Sequence, residues 1–354
     1  MNTHAKSRLI GCAALLFGAA CAPVPANASS GGFPPPAVSA KVVLGDHYPE
    51  RRTPFPHGVI GLADVKYAAI PGFRPLTLDV YVAPNSRSKP APLVLYIHGG
   101  GWEFGHSRQS GAFENWPRVL ALVAAHGYTV ASVNYRLSGE APFPAAIQDV
   151  KTAILWLHAH ARDYGIDKTE TIVWGGSAGG HLAALAAVSC GVKALEPDLA
   201  GLANGARLAR ESDCVQGAVT WYGVFDFADF NWDKPGAPAA PHGVPAPIAR
   251  FLACAPSGCA PDTVRAASPI SYVKANTPPF LIMYGSVDKT VPPKQSKLFA
   301  AALRAAGAHA DLIEIPGVAH SFIGSTPQAT RNASLEAFDR TMKFIDATVG
   351  RAGR

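Results

Sequence analysis

The stretch TIVWGGSAGGHLAALAA, from Thr171 to Ala187, opens as an apolar, β-rich run and closes as an apolar helical one. Four glycines, Ser177 and Ala178 lie between the two halves. Glycine weakens a helix or strand interior by about 0.5–1 kcal/mol relative to alanine, so its density here needs another reason. Gly175-Gly176-Ser177-Ala178-Gly179 fits G-x-S-x-G, in the strand–turn–helix setting that the motif requires. Small neighbours let strand and helix approach closely. The turn lifts the Ser177 hydroxyl above the sheet, beside free N–H groups of the helix start that can meet a developing anion. A glycine-rich turn with an incidental serine is the plainer alternative, and the pentapeptide alone leaves it open.

Working outward, β-rich runs recur: DVKYAAI (64–70), LTLDVYV (76–82), LVLYI (93–97), YTVASV (128–133), TIVW (171–174), VQGAVTWY (215–222), FLIMY (280–284) and DLIEI (311–315). The middle runs are almost continuously apolar, as parallel strands covered on both faces must be. Helical spacing fills 114–127, 143–165 and 292–307, which end in Gly127, Gly165 and Gly307 as C-terminal stops. Strand and helix in alternation specify an α/β chain with an open, doubly wound sheet and helices on both faces. Residues 191–213 and 228–268 are rich in Pro, Gly and Ala without a strong period and read as insertions above the sheet, forming a small lid. The Pro/Gly/Ser-rich residues 29–60 read as an extended leader, and 61–350 as the domain.

A serine hydroxyl is a weak nucleophile until a base takes its proton. Among twelve histidines, His320 in IPGVAHSF occupies a loop after the last strand, and Ser…acid…His is the chain order this architecture uses. His181 belongs to the helix after Ser177 and reads as packing; His158 and His160 belong to the 143–165 helix and read as surface groups. Asp288 in FLIMYGSVDKTVP follows a strand end, where a carboxylate can hold the imidazole tautomer. Asp226 is the second choice and reads better as a loop former. His98-Gly99-Gly100-Gly101-Trp102 follows the strand at 93–97. Its glycines can turn backbone N–H groups toward a substrate oxygen, so Gly100, Gly101 and Ala178 are the expected oxyanion donors. Trp102 and Trp221 are candidate pocket walls, and His98 a loop brace. The glycines lack the Lys-Ser/Thr of a phosphate loop and the spacing of a dinucleotide fingerprint, so no cofactor or metal is expected.

At 354 residues, 48% hydrophobic and 16% charged, the chain has ample material for a core. Its formal net charge is +6, with the basic residues scattered and never interleaved with aromatics, which disfavours nucleic-acid binding. Lys6 and Arg8 precede LIGCAALLFGAA, and Ala26-Asn27-Ala28 offers an A-x-A cleavage site, so residues 1–28 have the parts of an export signal. A lipid anchor at Cys21 is the second reading, and no later run is long and apolar enough to span a bilayer. A periplasmic or secreted location follows. It permits pairing of the four later cysteines: Cys254 with Cys259 across CAPSGC, then Cys190 with Cys214 by elimination, with free thiols as the alternative.

HGGGW, VNYRL, FPAAIQDVKTAILWL, GGSAGGHLAAL, YGSVDKTVP and GVAHSF, in this order over roughly residues 62–346, resemble the α/β-hydrolase superfamily. The similarity is greatest to its hormone-sensitive-lipase-like and bacterial feruloyl-esterase-like (BD-FAE) branches. A Pro-rich leader in place of an N-terminal helical cap favours the latter. The resemblance implies an eight-stranded, mostly parallel sheet, a Ser177–Asp288–His320 triad, an HGGG-type oxyanion loop and cofactor-free hydrolysis of a small-molecule carboxylic ester. Amide cleavage of arylformamidase or peptidase type, or a non-catalytic binding protein of the same fold, are the alternatives.

Overall fold

The computed structural model describes residues 51–350 apart from 85, 87, 230–245, 256 and 257. The expected export signal, Cys21, most of the leader and the middle of the second insertion lie outside the described residues.

Nine strands form one sheet: β1 (Arg51–Pro54), β2 (Ile60–Ala68), β3 (Leu76–Val82), β4 (Ala91–Ile97), β5 (Thr129–Val133), β6 (Ile166–Gly176), β7 (Gly217–Trp221), β8 (Phe280–Gly285) and β9 (Ala310–Ile315). Their order is β1-β2-β3-β5-β4-β6-β7-β8-β9. The β1–β2, β2–β3 and β3–β5 pairs are antiparallel; every pair from β5–β4 to β8–β9 is parallel. All eight expected strands are present, so the expected count of eight is corrected by one strand, β1. It lies inside the supposed leader, whose residues 51–60 are thus not an extended lead-in. Every residue of β1 is exposed. No apolar alternation marks it; its ladder to β2 and an Arg51–Asp64 ion pair at 3.3 Å hold it.

The helices among the described residues are α1 (Trp116–Ala125), α2 (Ala145–Ala159), α3 (Ala161–Tyr164), α4 (Ala178–Val188), α5 (Gly205–Leu208), α6 (Ala246–Phe251), α7 (Pro261–Ala267), α8 (Pro293–Ala305) and α9 (Pro327–Thr348). Their starts and stops follow local chemistry. Asn115 caps α1 by accepting from Arg118 N at 3.1 Å, and Thr326 caps α9 by accepting from Ala329 N at 3.1 Å. Gly127, Gly165 and Gly307 all adopt positive φ just beyond helix ends, as the sequence predicts.

Strand side chains alternate between two apolar layers. Leu93, Leu95 and Ile97 of β4 and Val173 of β6 face α2, α4 and α8, whereas Val94, Tyr96, Ile172 and Trp174 face α1 and α9. Both faces are covered, which explains the unbroken apolar runs. Among the described residues neither insertion adds a strand: the first holds α5, the second α6 and α7. Disulfides join Cys190 to Cys214 and Cys254 to Cys259. The fully buried Lys151 of α2 secures the first insertion, its Nζ meeting Ser189 O at 2.8 Å, Glu196 Oε1 at 2.8 Å and Asp213 Oδ2 at 2.6 Å. A buried ammonium persists only when paired in this way.

Candidate active site

Ser177 is the single residue between β6 and α4, with φ 56° and ψ −122°. This is a strained conformation for a residue with a side chain. Its amide donates to Trp221 O at 2.8 Å, and its carbonyl accepts from His181 N at 2.9 Å. The glycine density is steric. A Cβ on Gly179 would stand 2.0 Å from Ile97 O, so the elbow closes against the end of β4 only without one.

The structure brings the three expected side chains into contact. His320 Nε2 lies 2.9 Å from Ser177 Oγ, and Nδ1 lies 2.7 Å from Asp288 Oδ2. An ionised carboxylate only accepts, so Nδ1 carries the proton and Nε2 is free to accept from the serine hydroxyl. Asp288 follows β8 and its side chain is fully shielded. Its Oδ1 accepts from Thr290 N at 2.8 Å and Val291 N at 3.0 Å, which fixes the carboxylate plane. His320 opens a 3₁₀ turn after β9, its ring meeting Tyr222 edge-on with centroids 4.8 Å apart. Asp226 instead closes its own loop, Oδ1 accepting from Ala228 N at 2.9 Å.

The glycine loop after β4 stands against the elbow. A Cβ on Gly99 would lie 2.8 Å from Gly176 O and 3.4 Å from Ser177 Cβ. Gly100 and Gly101 have φ of 113° and 61°. A Cβ on Gly100 would fall 2.1 Å from Phe104 O, so the tight turn there excludes any side chain. Ala178 is the first residue of α4, and its N–H is among those with no acceptor inside the helix. Gly99, Gly100, Gly101, Ser177 and His320 share the wall of one cleft of about 640 Å³.

Three sequence readings need correction. Trp102 and Trp221 do not line that cleft. Trp221 occupies a β7 position facing α9, where its indole N–H donates to Thr341 Oγ1 at 3.1 Å. Trp102 is buried beneath the loop on the opposite face of the sheet. His158 is not a surface group; it is buried, bonded to Ser212 O and Thr171 Oγ1 at 2.8 Å each, and burial pushes its pKa down. His160 is partly exposed, stacked on Trp156. His98 is a brace as expected, stacked on Tyr135 with Nδ1 2.7 Å from Gly99 O, and burial lowers its pKa to about 4.

Sequence reading missed several residues of the cleft. Tyr222 lines it, and burial holds its phenol well above the ordinary value, so the hydroxyl stays protonated beside Ser321. Arg108 also lines it, clamped by Asp79 at 2.7 Å and 2.9 Å and by Asp64 at 2.8 Å. Asp79 accepts from Ser107 Oγ at 3.0 Å as well, tying the cleft loop to the sheet. A lone acid inside the apolar run LTLDVYV was the signal for this clamp. Pro247 of α6 brings the second insertion to the cleft wall, and nothing in the sequence singled it out.

Comparison with known proteins gives a consistent result. The BD-FAE family model matches residues 78–303. Esterase LipQ of Mycobacterium tuberculosis is 35% identical over 263 residues, covering 73% of this chain and 57% of LipQ. Esterase LipC of the same organism is 35% identical over 247 residues, covering 69% of this chain and 56% of LipC. The chain thus spans a little over half the length of these curated relatives. A solved truncated form of a carbohydrate esterase from gut microbiota superposes with a TM-score of 0.62 at 29% identity, over 80% of this chain and 96% of that one. Est2 of Thermogutta terrifontis shares the fold, with a TM-score of 0.61 at 23% identity over 81% of this chain and 91% of that one. Sheet order, elbow and sequence match agree: the chain is an α/β-hydrolase and belongs to the BD-FAE family.

Proposed function

We propose that the protein is an exported serine carboxylesterase working through an acyl-enzyme. The observation that carries this reading is His320, which touches Ser177 Oγ with one ring nitrogen and Asp288 with the other. In the first step Ser177 Oγ attacks the ester carbonyl carbon while His320 Nε2 takes its proton, and Asp288 stabilises the imidazolium. The amides of Gly100, Gly101 and Ala178 receive the oxyanion, a contribution of about 10²–10³ in rate for each donor. Collapse breaks the C–O bond, and the alcohol leaves with the proton from His320. Water attacks the acyl-enzyme with the same base, releasing the acid and restoring Ser177.

A hydroxyl-rich alcohol, such as an acetylated or feruloylated carbohydrate, is the substrate class we favour. The cleft is lined by Glu103, Arg108, Gln109 and Glu114, and Phe104, 65% exposed, offers a flat apolar face on it. The carbohydrate esterase named above supports the same direction. Export is supported by the signal-like residues 1–28 and by two disulfides, which persist in an oxidising compartment.

The test is a p-nitrophenyl ester chain-length series beside matched anilides and acetylated oligosaccharides, with Ser177→Ala as control. Short esters should turn over fastest and the control should be inert. Anilide turnover exceeding ester turnover, or no turnover by wild type, would overturn the reading.

A further inference from the structure

Gly100, Gly101 and Trp102 are consecutive residues of positive φ, at 113°, 61° and 60°. Glycine enters this region freely, but a residue with a Cβ does so at a cost of about 1–2 kcal/mol. The side chain of Trp102 shows what holds it there. The indole is 3% exposed, lies parallel to Phe251 of α6 with centroids 4.5 Å apart, and meets His181 edge-on at 5.3 Å. Its Nε1–H donates to His181 Nδ1 at 3.1 Å, and His181 Nε2–H donates to Ala267 O, at the end of α7, at 2.8 Å. An indole nitrogen only donates and a carbonyl only accepts, so the two partners fix the imidazole tautomer. Burial lowers the His181 pKa to about 4, which keeps the ring neutral and Nδ1 an acceptor near neutrality. His181 itself stands one turn beyond Ser177 on α4, with its backbone N–H on Ser177 O.

Among the described residues, one buried side-chain hydrogen bond therefore links the nucleophile helix to the glycine loop that packs on the elbow, with α6 and α7 behind it. We propose that His181 is a positioning residue: by accepting from the Trp102 indole, it sets the Gly100 and Gly101 amides at their working distance from Ser177. The proposal rests on the esterase reading, since it assigns those amides to the oxyanion. Donors act only where the anion forms, and a displacement of about 1 Å can cost about 10²-fold in rate.

The two ring nitrogens can be imitated separately. Asparagine places a carbonyl oxygen near Nδ1 but cannot reach Ala267; glutamine places an amide N–H near Nε2 but leaves the indole without an acceptor. Trp102→Phe deletes the N–H and keeps the stack on Phe251. With p-nitrophenyl acetate, Trp102→Phe and His181→Gln should lower kcat about 10- to 100-fold with KM within about 3-fold. His181→Asn should keep kcat within about 3-fold of wild type. Affinity for phenylboronic acid, which forms a tetrahedral adduct on Ser177, should fall in the same two variants by the same factor as kcat/KM. Equal kcat losses in His181→Asn and His181→Gln would mark a merely structural role and overturn the proposal. So would wild-type kcat and boronate affinity in Trp102→Phe. A wild-type enzyme inert to the ester would overturn the esterase reading and this inference with it, whereas an active wild type with indifferent variants overturns the inference alone.

Discussion

His320 Nδ1 lies 2.7 Å from Oδ2 of Asp288, a carboxylate whose second oxygen is already committed to the amides of Thr290 and Val291. Asparagine at 288 would keep the amide contacts on its Oδ1 and turn an NH₂ toward the imidazole. That donor forces the proton onto Nε2, where it blocks the serine. Asp288→Asn should therefore fold normally and lose about 10⁴ in kcat, read as steady-state turnover beside circular dichroism. A loss below about tenfold would remove Asp288 from the mechanism.

The elbow makes a second expectation, in stability. Ser177 sits at φ 56° and ψ −122°, strain worth about 1–3 kcal/mol that alanine inherits and glycine relieves. Glycine returns some of this through its freer unfolded chain, about 0.7 kcal/mol. Both variants should be inactive, and Ser177→Gly should be more stable than Ser177→Ala by about 1 kcal/mol in urea unfolding. Equal midpoints would mean that the elbow stores no strain.

Acid should destabilise the fold before it titrates the surface carboxylates. Burial holds both His98 and His181 down to about 4. Above about pH 6.5 these residues are neutral whether folded or unfolded and cost nothing. Between about 6.5 and 4 the unfolded chain takes up protons that the fold refuses, so stability falls by up to about 3 kcal/mol for each residue. Below that window both states are protonated and the loss stops growing. Urea midpoints should drop steeply between pH 7 and pH 4.5, and an unchanged midpoint would contradict the buried neutral rings.

The two disulfides should separate stability from catalysis. Cys190–Cys214 closes 24 residues and Cys254–Cys259 only 5. Loop-closure entropy assigns about 3 kcal/mol to the first and about 2 kcal/mol to the second. The shorter bridge, however, lies between α6 and α7, which carry Phe251 and Ala267 to Trp102 and His181. Replacing the first pair with serine should cost more in thermal stability, and replacing the second should cost more in kcat. The reverse ranking would show that α6 and α7 do not support the glycine loop.

Much of this molecule could be read from the chain because its signals are local. G-x-S-x-G between a β-rich run and a helical run locates the elbow, and glycines after apolar helices mark their ends. The misses share another cause: they depend on which face of an element meets which neighbour. Trp221 looks like a pocket aromatic until β7 is given its parity, which turns the ring toward α9. His158 looks exposed on a helix pattern, but the return of the chain through Ser212 covers it. Lys151 gives no hint of full burial until Glu196 and Asp213 arrive from the insertion. β1 has no apolar side to announce it, because every residue of this edge strand is exposed and its pairing with β2 runs through the backbone.

Ser177, Asp288 and His320 are distributed along the parallel half of the sheet in the order of synthesis, after β6, β8 and β9. Synthesis reaches Ser177 143 residues before it reaches His320, the base of the proposed mechanism. On that mechanism, truncation anywhere ahead of His320 should yield an inert fragment, however well its first strands have assembled. On the proposed mechanism, activity therefore waits on completion of the chain.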